Sequence, residues 1–154
     1  METSFKLAAA SDADALLEMM RGLYEHDRIP FDEPKARAAL AQLLGDDACG
    51  VAHLILHGGE TAGYLVLTFG FSLEFGGRDA FVDELFVKDE FRGRGAGRAA
   101  LDFAAEVCRA RGVRALHLEV ERANTSAQAL YRKHGFKDHD RYLMTKWVGT
   151  NDEG

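Results

Sequence analysis

The chain has 154 residues, of which 47% are hydrophobic and 29% charged, with two prolines and a formal charge of −6 from 19 Lys plus Arg against 25 Asp plus Glu. This composition describes one globular domain, expected over residues 1–149 ahead of a polar tail at 150–154, and long enough to bury roughly two-thirds of its unfolded surface. It argues against long disordered tracts and against non-specific nucleic-acid binding, which needs many cations on one face. No run approaches the roughly eighteen apolar residues of a membrane span, and Met1 to Ser4 carry no positive leader, so a cytoplasmic protein without a membrane partner is expected.

Phe5 to Ala9 reads as a first strand, and Ser11 to Asp14 supply caps for a helix reaching about Tyr24 with Leu16, Leu17, Met20 and Leu23 on one face. A second helix follows Glu33-Pro34 and stops before Gly45. Val51 to His57 and Ala62 to Phe71, joined across Gly58-Gly59, read as an antiparallel hairpin. A loop from Ser72 to Asp79 leads to a strand from Ala80 to Val87, a helix from Gly95 to Arg111, and a strand from Arg114 to Val120. These last three form a βαβ unit, so its two strands should be parallel. A short helix from Asn124 to His134 and a final strand from Arg141 to Val148 complete the pattern. Cys49 and Cys108 lack a CxxC partner and read as buried reduced thiols, and the six histidines show no metal-ligand spacing, so no metal is expected.

The join at Arg92-Gly93-Arg94-Gly95-Ala96-Gly97-Arg98 packs glycines and arginines against a helix start. Glycines let the backbone approach an anion, and the free amides of a helix start carry partial positive charge. A basic cluster in an acidic chain marks a place for phosphate. A Walker loop is excluded by the missing Gly-Lys-Ser/Thr, and a dinucleotide fingerprint by a third glycine at Gly97 where the pattern wants it at Arg98.

Arg92 to Gly97 matches the Arg/Gln-x-x-Gly-x-Gly/Ala motif of the GNAT superfamily of N-acetyltransferases. Asn124 to Phe136 resembles that family's second motif, Asn-x-x-Ala-x-x-Leu-Tyr-x-x-x-Gly-Phe. The resemblance implies an α/β (α+β) fold, with a mixed, mostly antiparallel sheet, helices on both faces and one parallel βαβ unit. It implies acetyl-CoA as cosubstrate, held at the pantetheine arm by Leu85, Phe86 and Val87 and by Asn124. The pyrophosphate would fall on Arg92, Gly93, Arg94, Gly95, Ala96, Gly97 and Arg98, with Tyr131 beside the coenzyme sulfur as general acid.

Transfer from a thioester to an amine requires both reactants in line, a proton acceptor for the ammonium, and an acid for the leaving thiolate. Asp83 and Glu84 are adjacent carboxylates on an otherwise apolar strand and need a polar reason to be there. As strand neighbours they point to opposite faces, unless a β-bulge exchanges them, and either is a candidate proton acceptor. Together with Tyr24-Glu25 at the end of the first helix, which would also line the acceptor, they resemble the diamine and polyamine N-acetyltransferase branch, including its thialysine-acetylating members, in which acids at the positions of Glu25, Asp83 and Glu84 hold the cationic acceptor. The reading is therefore an acetyltransferase acting on a small primary amine by direct attack in a ternary complex, expected as a homodimer by the same resemblance. A protein N-acetyltransferase with an open peptide groove and a non-catalytic acyl-CoA sensor are the alternatives.

Overall fold

The structure, a computed structural model, describes residues 2–149. The chain divides into two compact units, residues 1–119 and 120–154.

The first unit is a five-stranded sheet in the order β1-β2-β3-β4-β5, formed by Thr3–Leu7, Gly50–His57, Glu60–Ser72, Gly77–Val87 and Ala115–His117. The first four strands pair antiparallel and β4 pairs β5 in parallel, which the βαβ reading requires. Helices α1 (Ala13–Asp27) and α2 (Glu33–Leu44) cover one face, and α3 (Ala96–Ala110) covers the other. The alternation of β2 and β3 decides which side chain goes where. Ala52, Leu54, Tyr64 and Val66 pack with Leu16, Leu17 and Leu40 of α1 and α2, whereas Val51, Leu65 and Leu67 pack with Ala104 of α3.

Sequence and structure differ at several places. The third and fourth strands meet in a tighter hairpin than the expected loop, because β3 runs to Ser72 and β4 begins at Gly77. Gly76 and Gly77 take positive φ at this turn, a conformation other residues reach only with strain. The β5 pairing covers only Ala115 to His117, shorter than the alternating pattern from Arg114 to Val120. Cys49 is exposed rather than buried, since it lies in the turn that leads into β2 and not on the strand itself; Cys108 is buried on α3 as expected.

The second unit contains α4 (Thr125–Lys133), capped by Asn124 and stopped at Gly135, where φ is 93°. The expected strand from Arg141 to Val148 is not formed among the described residues. Its side chains are exposed, and an alternating sequence becomes a strand only where a ladder partner takes its amides. Arg132 clasps Asp138 through two hydrogen bonds of 2.6 and 2.8 Å, which holds the Asp138 carboxyl below the usual range. The tail at 150–154 lies outside the described residues.

Candidate active site

The site of the first unit is built on β4. Val66 pairs with Glu84 and Leu67 with Val82, so Asp83 is an extra residue without a partner on β3. The packing confirms this bulge. Val82 and Leu85, three apart, both pack on the α3 face, which a regular strand forbids. As a result Asp83 and Glu84 turn to the α1 face together, and the opposite-face expectation for a regular strand is corrected. The Asp83 charge acts on Glu84, Tyr24 and Tyr64, as shared placement demands.

Glu84 is held from two sides. Tyr24 Oη, at the end of α1, donates to Oε2 at 2.5 Å, and Tyr64 Oη, from β3, donates to Oε1 at 2.7 Å. Tyr64 is fully buried. Hydrogen bonds from neutral donors to a buried carboxylate contribute about 1.5–3 kcal/mol each, enough to offset part of its desolvation. Burial still pushes the Glu84 carboxyl above its ordinary value, against the pull of the two hydroxyls and with a further push from the charges of Asp83 and Asp27. Both tyrosines are pushed up too, by burial first and then by Glu84, so they stay protonated and keep donating.

Asp83 makes no hydrogen bond among the described residues, and desolvation raises its carboxyl as well. Solvent still reaches this side chain, so the push is tempered there. Glu25 lies exposed on the last turn of α1 with no ion pair among the described residues. Asp27, which the sequence reading passed over, is the α1 acid whose charge reaches Glu84.

The cradle follows β4 at a short 3-10 turn, Asp89–Phe91. Gly93 and Gly95 take positive φ of 77° and 84°, and α3 begins at Ala96. None of the amides from Gly93 to Arg98 donates to another group among the described residues, whereas Arg92 and Ala99 on either side do. Consecutive free amides at the start of a helix form an anion nest. A Cβ at Gly93, Gly95 or Gly97 would meet nothing within 4 Å, so the space above the loop is open. Arg92 is anchored by Val87 O at 3.0 Å and by Asp89 at 2.8 Å; Arg94 lies over the Phe91 ring at 5.5 Å. These donors fit a pyrophosphate. Beside the cradle, β4 pairs β5 only from Asp79 to Phe81, so its outer edge from Val82 to Val87, Leu85 and Phe86 included, carries no strand among the described residues.

The family model described as the acetyltransferase (GNAT) family matches residues 16–136. The chain belongs to that family. It is 30% identical over 139 residues to the thialysine N-epsilon-acetyltransferase of Bos taurus, covering 85% of this chain and 82% of that one. An integron cassette protein from the mobile metagenome of Cole Harbour salt marsh shares 34% identity and superposes with a TM-score of 0.82, covering 94% of this chain and 90% of that one. The ribosomal-protein-alanine N-acetyltransferase of Brucella melitensis biovar Abortus 2308 has the same fold, with a TM-score of 0.74 at 21% identity over 95% of this chain and 100% of that one. This GNAT protein is thus an acyltransferase, an enzyme that transfers acetyl to an amine.

The remaining expected site residues lie in the second unit. Asn124 caps α4, its Oδ1 accepting from the Ala127 amide at 3.2 Å and from Ser126 Oγ at 3.3 Å. Tyr131 is half-buried and meets the Phe136 ring edge-on at 6.0 Å. The histidines form no metal-binding group among the described residues. His53 and His57 are instead core residues on β2, with His57 sharing a 3.2 Å hydrogen bond with Thr3. No helix among the described residues is long and apolar enough to cross a membrane.

Proposed function

We propose that this GNAT enzyme transfers acetyl from acetyl-CoA to the primary amine of a small cationic acceptor by direct attack. The observation that carries the reading is the pair Asp83 and Glu84, turned by one bulge to the same face and left with one carboxylate hydrogen-bonded and one not. Acetyl-CoA, when bound, supplies an acetyl group already activated as a thioester.

The chain supplies position and charge. The amides from Gly93 to Arg98 and the guanidiniums of Arg92, Arg94 and Arg98 suit the pyrophosphate. The outer edge of β4 at Leu85, Phe86 and Val87, unpaired by any strand among the described residues, suits the amides of the pantetheine arm. Both oxygens of Glu84 are engaged by tyrosines, so Glu84 serves as a fixed negative charge that draws the ammonium in. Asp83 takes the proton, because its carboxylate has no competing donor among the described residues and lies within reach of solvent and acceptor, on the same face as Glu84. Tyr131 keeps the role that the family motif gives it, as acid toward the leaving thiolate, and Asn124 its contact with the coenzyme arm. Tyr131→Phe should lower kcat about tenfold or more with little change in KM for the amine.

A thiol-release assay with acetyl-CoA and a panel of spermidine, lysine analogues, N-terminal peptides and aminoglycosides tests the proposal. Turnover of the small cationic amines, abolished in Asp83→Asn, is the expected result. Turnover of peptides alone would replace it with the protein-acetylating reading. Coenzyme binding without turnover of any amine would make the chain a sensor. The exposed apolar side chains from Tyr142 to Val148 support a homodimer, which sedimentation would measure.

A further inference from the structure

Helix α1 carries a glycine that the helix itself does not need. Gly22 lies in the interior of α1 without a positive φ, where glycine weakens a helix and alanine would strengthen it. The reason stands on β4. A Cβ at Gly22 would lie 3.2 Å from Phe86 Cζ, 3.7 Å from Cε1 and 3.8 Å from Cε2, so the tip of the Phe86 ring fills the place of the missing side chain.

The ring is held on its other sides as well. Tyr64, the register partner of Phe86 on β3, sets its own ring 6.1 Å away at 42°, and the Arg92 guanidinium lies 6.0 Å from the Phe86 centroid. Phe86 is half-buried against the core under α1, whereas Leu85 and Val87 on either side of it pack toward α3 with Ile55 and Ala96. Phe86 is thus the side chain that the coenzyme edge of β4 turns to the face of Glu84, two residues or about 7 Å along the strand.

These positions bear on the acyl group. The acceptor amine is drawn to Asp83 and Glu84 on the α1 face, while the coenzyme arm follows the strand edge from the cradle past Val87. The acyl carbon reaches the amine across the stretch from Phe86 to Glu84, and the ring walls that stretch on the side of the cradle. With Gly22 against its tip and Tyr64 beside it, the ring cannot swing aside without lifting α1 from the sheet. A single methyl group beyond the carbonyl needs little room there. Further methylenes need the space that the ring fills. Building on the coenzyme reading above, we propose that Phe86, seated by Gly22, gauges the acyl group and limits it to acetyl.

Calorimetric titration with acetyl-CoA and butyryl-CoA tests the gauge without turnover. The wild type should hold butyryl-CoA about tenfold or more weaker than acetyl-CoA, the discrimination expected for methylenes that find no room. Phe86→Ala, which empties the space, should bring the two affinities to within about twofold of each other. Gly22→Ala, whose methyl group presses on the ring tip, should move the ratio the other way and weaken propionyl-CoA as well. The kcat/KM ratios of the two donors, measured with an amine that is turned over, should follow the affinity ratios. Equal binding of both donors by the wild type, or a ratio that stays the same in both variants, overturns the proposal. Should Phe86→Ala fail to fold, Phe86→Leu and Gly22→Ala decide. Absence of any acyl-CoA binding by the folded wild type would remove the coenzyme reading itself, and the gauge with it. Binding and turnover of acetyl-CoA with an unmoved ratio would leave that reading intact and make the Gly22–Phe86 contact only packing between α1 and β4.

Discussion

Tyr64 Oη donates to Glu84 Oε1 at 2.7 Å across the β3–β4 pair, next to the bulge that Asp83 makes. Because Tyr64 is fully buried, its hydroxyl has no water to fall back on, and the two residues depend on each other. Tyr64→Phe removes a donor that favours the ionised form of Glu84. The Glu84 carboxyl should then rise further, and the acidic limb of the pH profile of kcat/KM should move to higher pH. A tyrosine with a purely structural part would lower thermal stability and leave that limb in place.

The same burial has a cost that pH exposes. The folded-state pKa of Glu84 is raised above its unfolded value, chiefly by desolvation. Its contribution to stability is therefore fully present below the ordinary glutamate range and is lost as pH rises through the shifted value. In Glu84→Gln that component disappears, so melting temperature should fall less between about pH 4 and 7 than in the wild type. Activity should drop in the same variant, since the fixed charge facing the ammonium is gone. Thermal melts across pH, paired with the thiol-release assay, check both halves; a parallel pH dependence in the two proteins would show that Glu84 is not under this strain.

Cys108, on the helix that starts at the cradle, is the nucleophile that an acyl-enzyme route would use. It is buried on α3 among Ala100, Leu101 and Ala104, and burial pushes its thiol up, only partly countered by Arg109 and Arg111. Little thiolate forms at neutral pH under those conditions, and the thiolate is the reactive form. Cys108→Ala should keep kcat within about twofold, at the stability cost of a small cavity. Abolished turnover in a folded Cys108→Ala protein would overturn direct attack.

Much of this was legible beforehand because its signals are local. Hydrophobic period, caps and glycine turns placed α1 to α4 and all five strands, β5 only in part, and the cradle declared itself by glycine spacing within seven residues. What escaped depends on register. The shared face of Asp83 and Glu84 required knowing that β3 and β4 slip by one residue between Val66 and Leu67. The partner Tyr64 could be tied to Glu84 only once that slip was fixed. Asp27 was missed for the same reason, since its partner Glu84 is distant in sequence. The segment from Arg141 to Val148 is not a strand among the described residues, because alternation describes a face and does not by itself form a ladder.

Gly97 separates what the fold needs from what the reaction needs. It lies in the first turn of α3 without a positive φ, and a Cβ there would meet nothing within 4 Å. Folding alone therefore favours alanine at this position, by up to about 1 kcal/mol of helix propensity. If the amides from Gly93 to Arg98 hold a pyrophosphate, however, a methyl group on the approach side holds the phosphates off the backbone. Gly97→Ala should then raise the melting temperature of the free protein while raising KM for acetyl-CoA several-fold, with kcat at saturation little changed. Gly95→Ala gives the contrast, since its φ of 84° makes any side chain strained and should lower stability by about 1 kcal/mol. A Gly97→Ala protein that is more stable and binds acetyl-CoA as tightly as the wild type would take the pyrophosphate away from this loop.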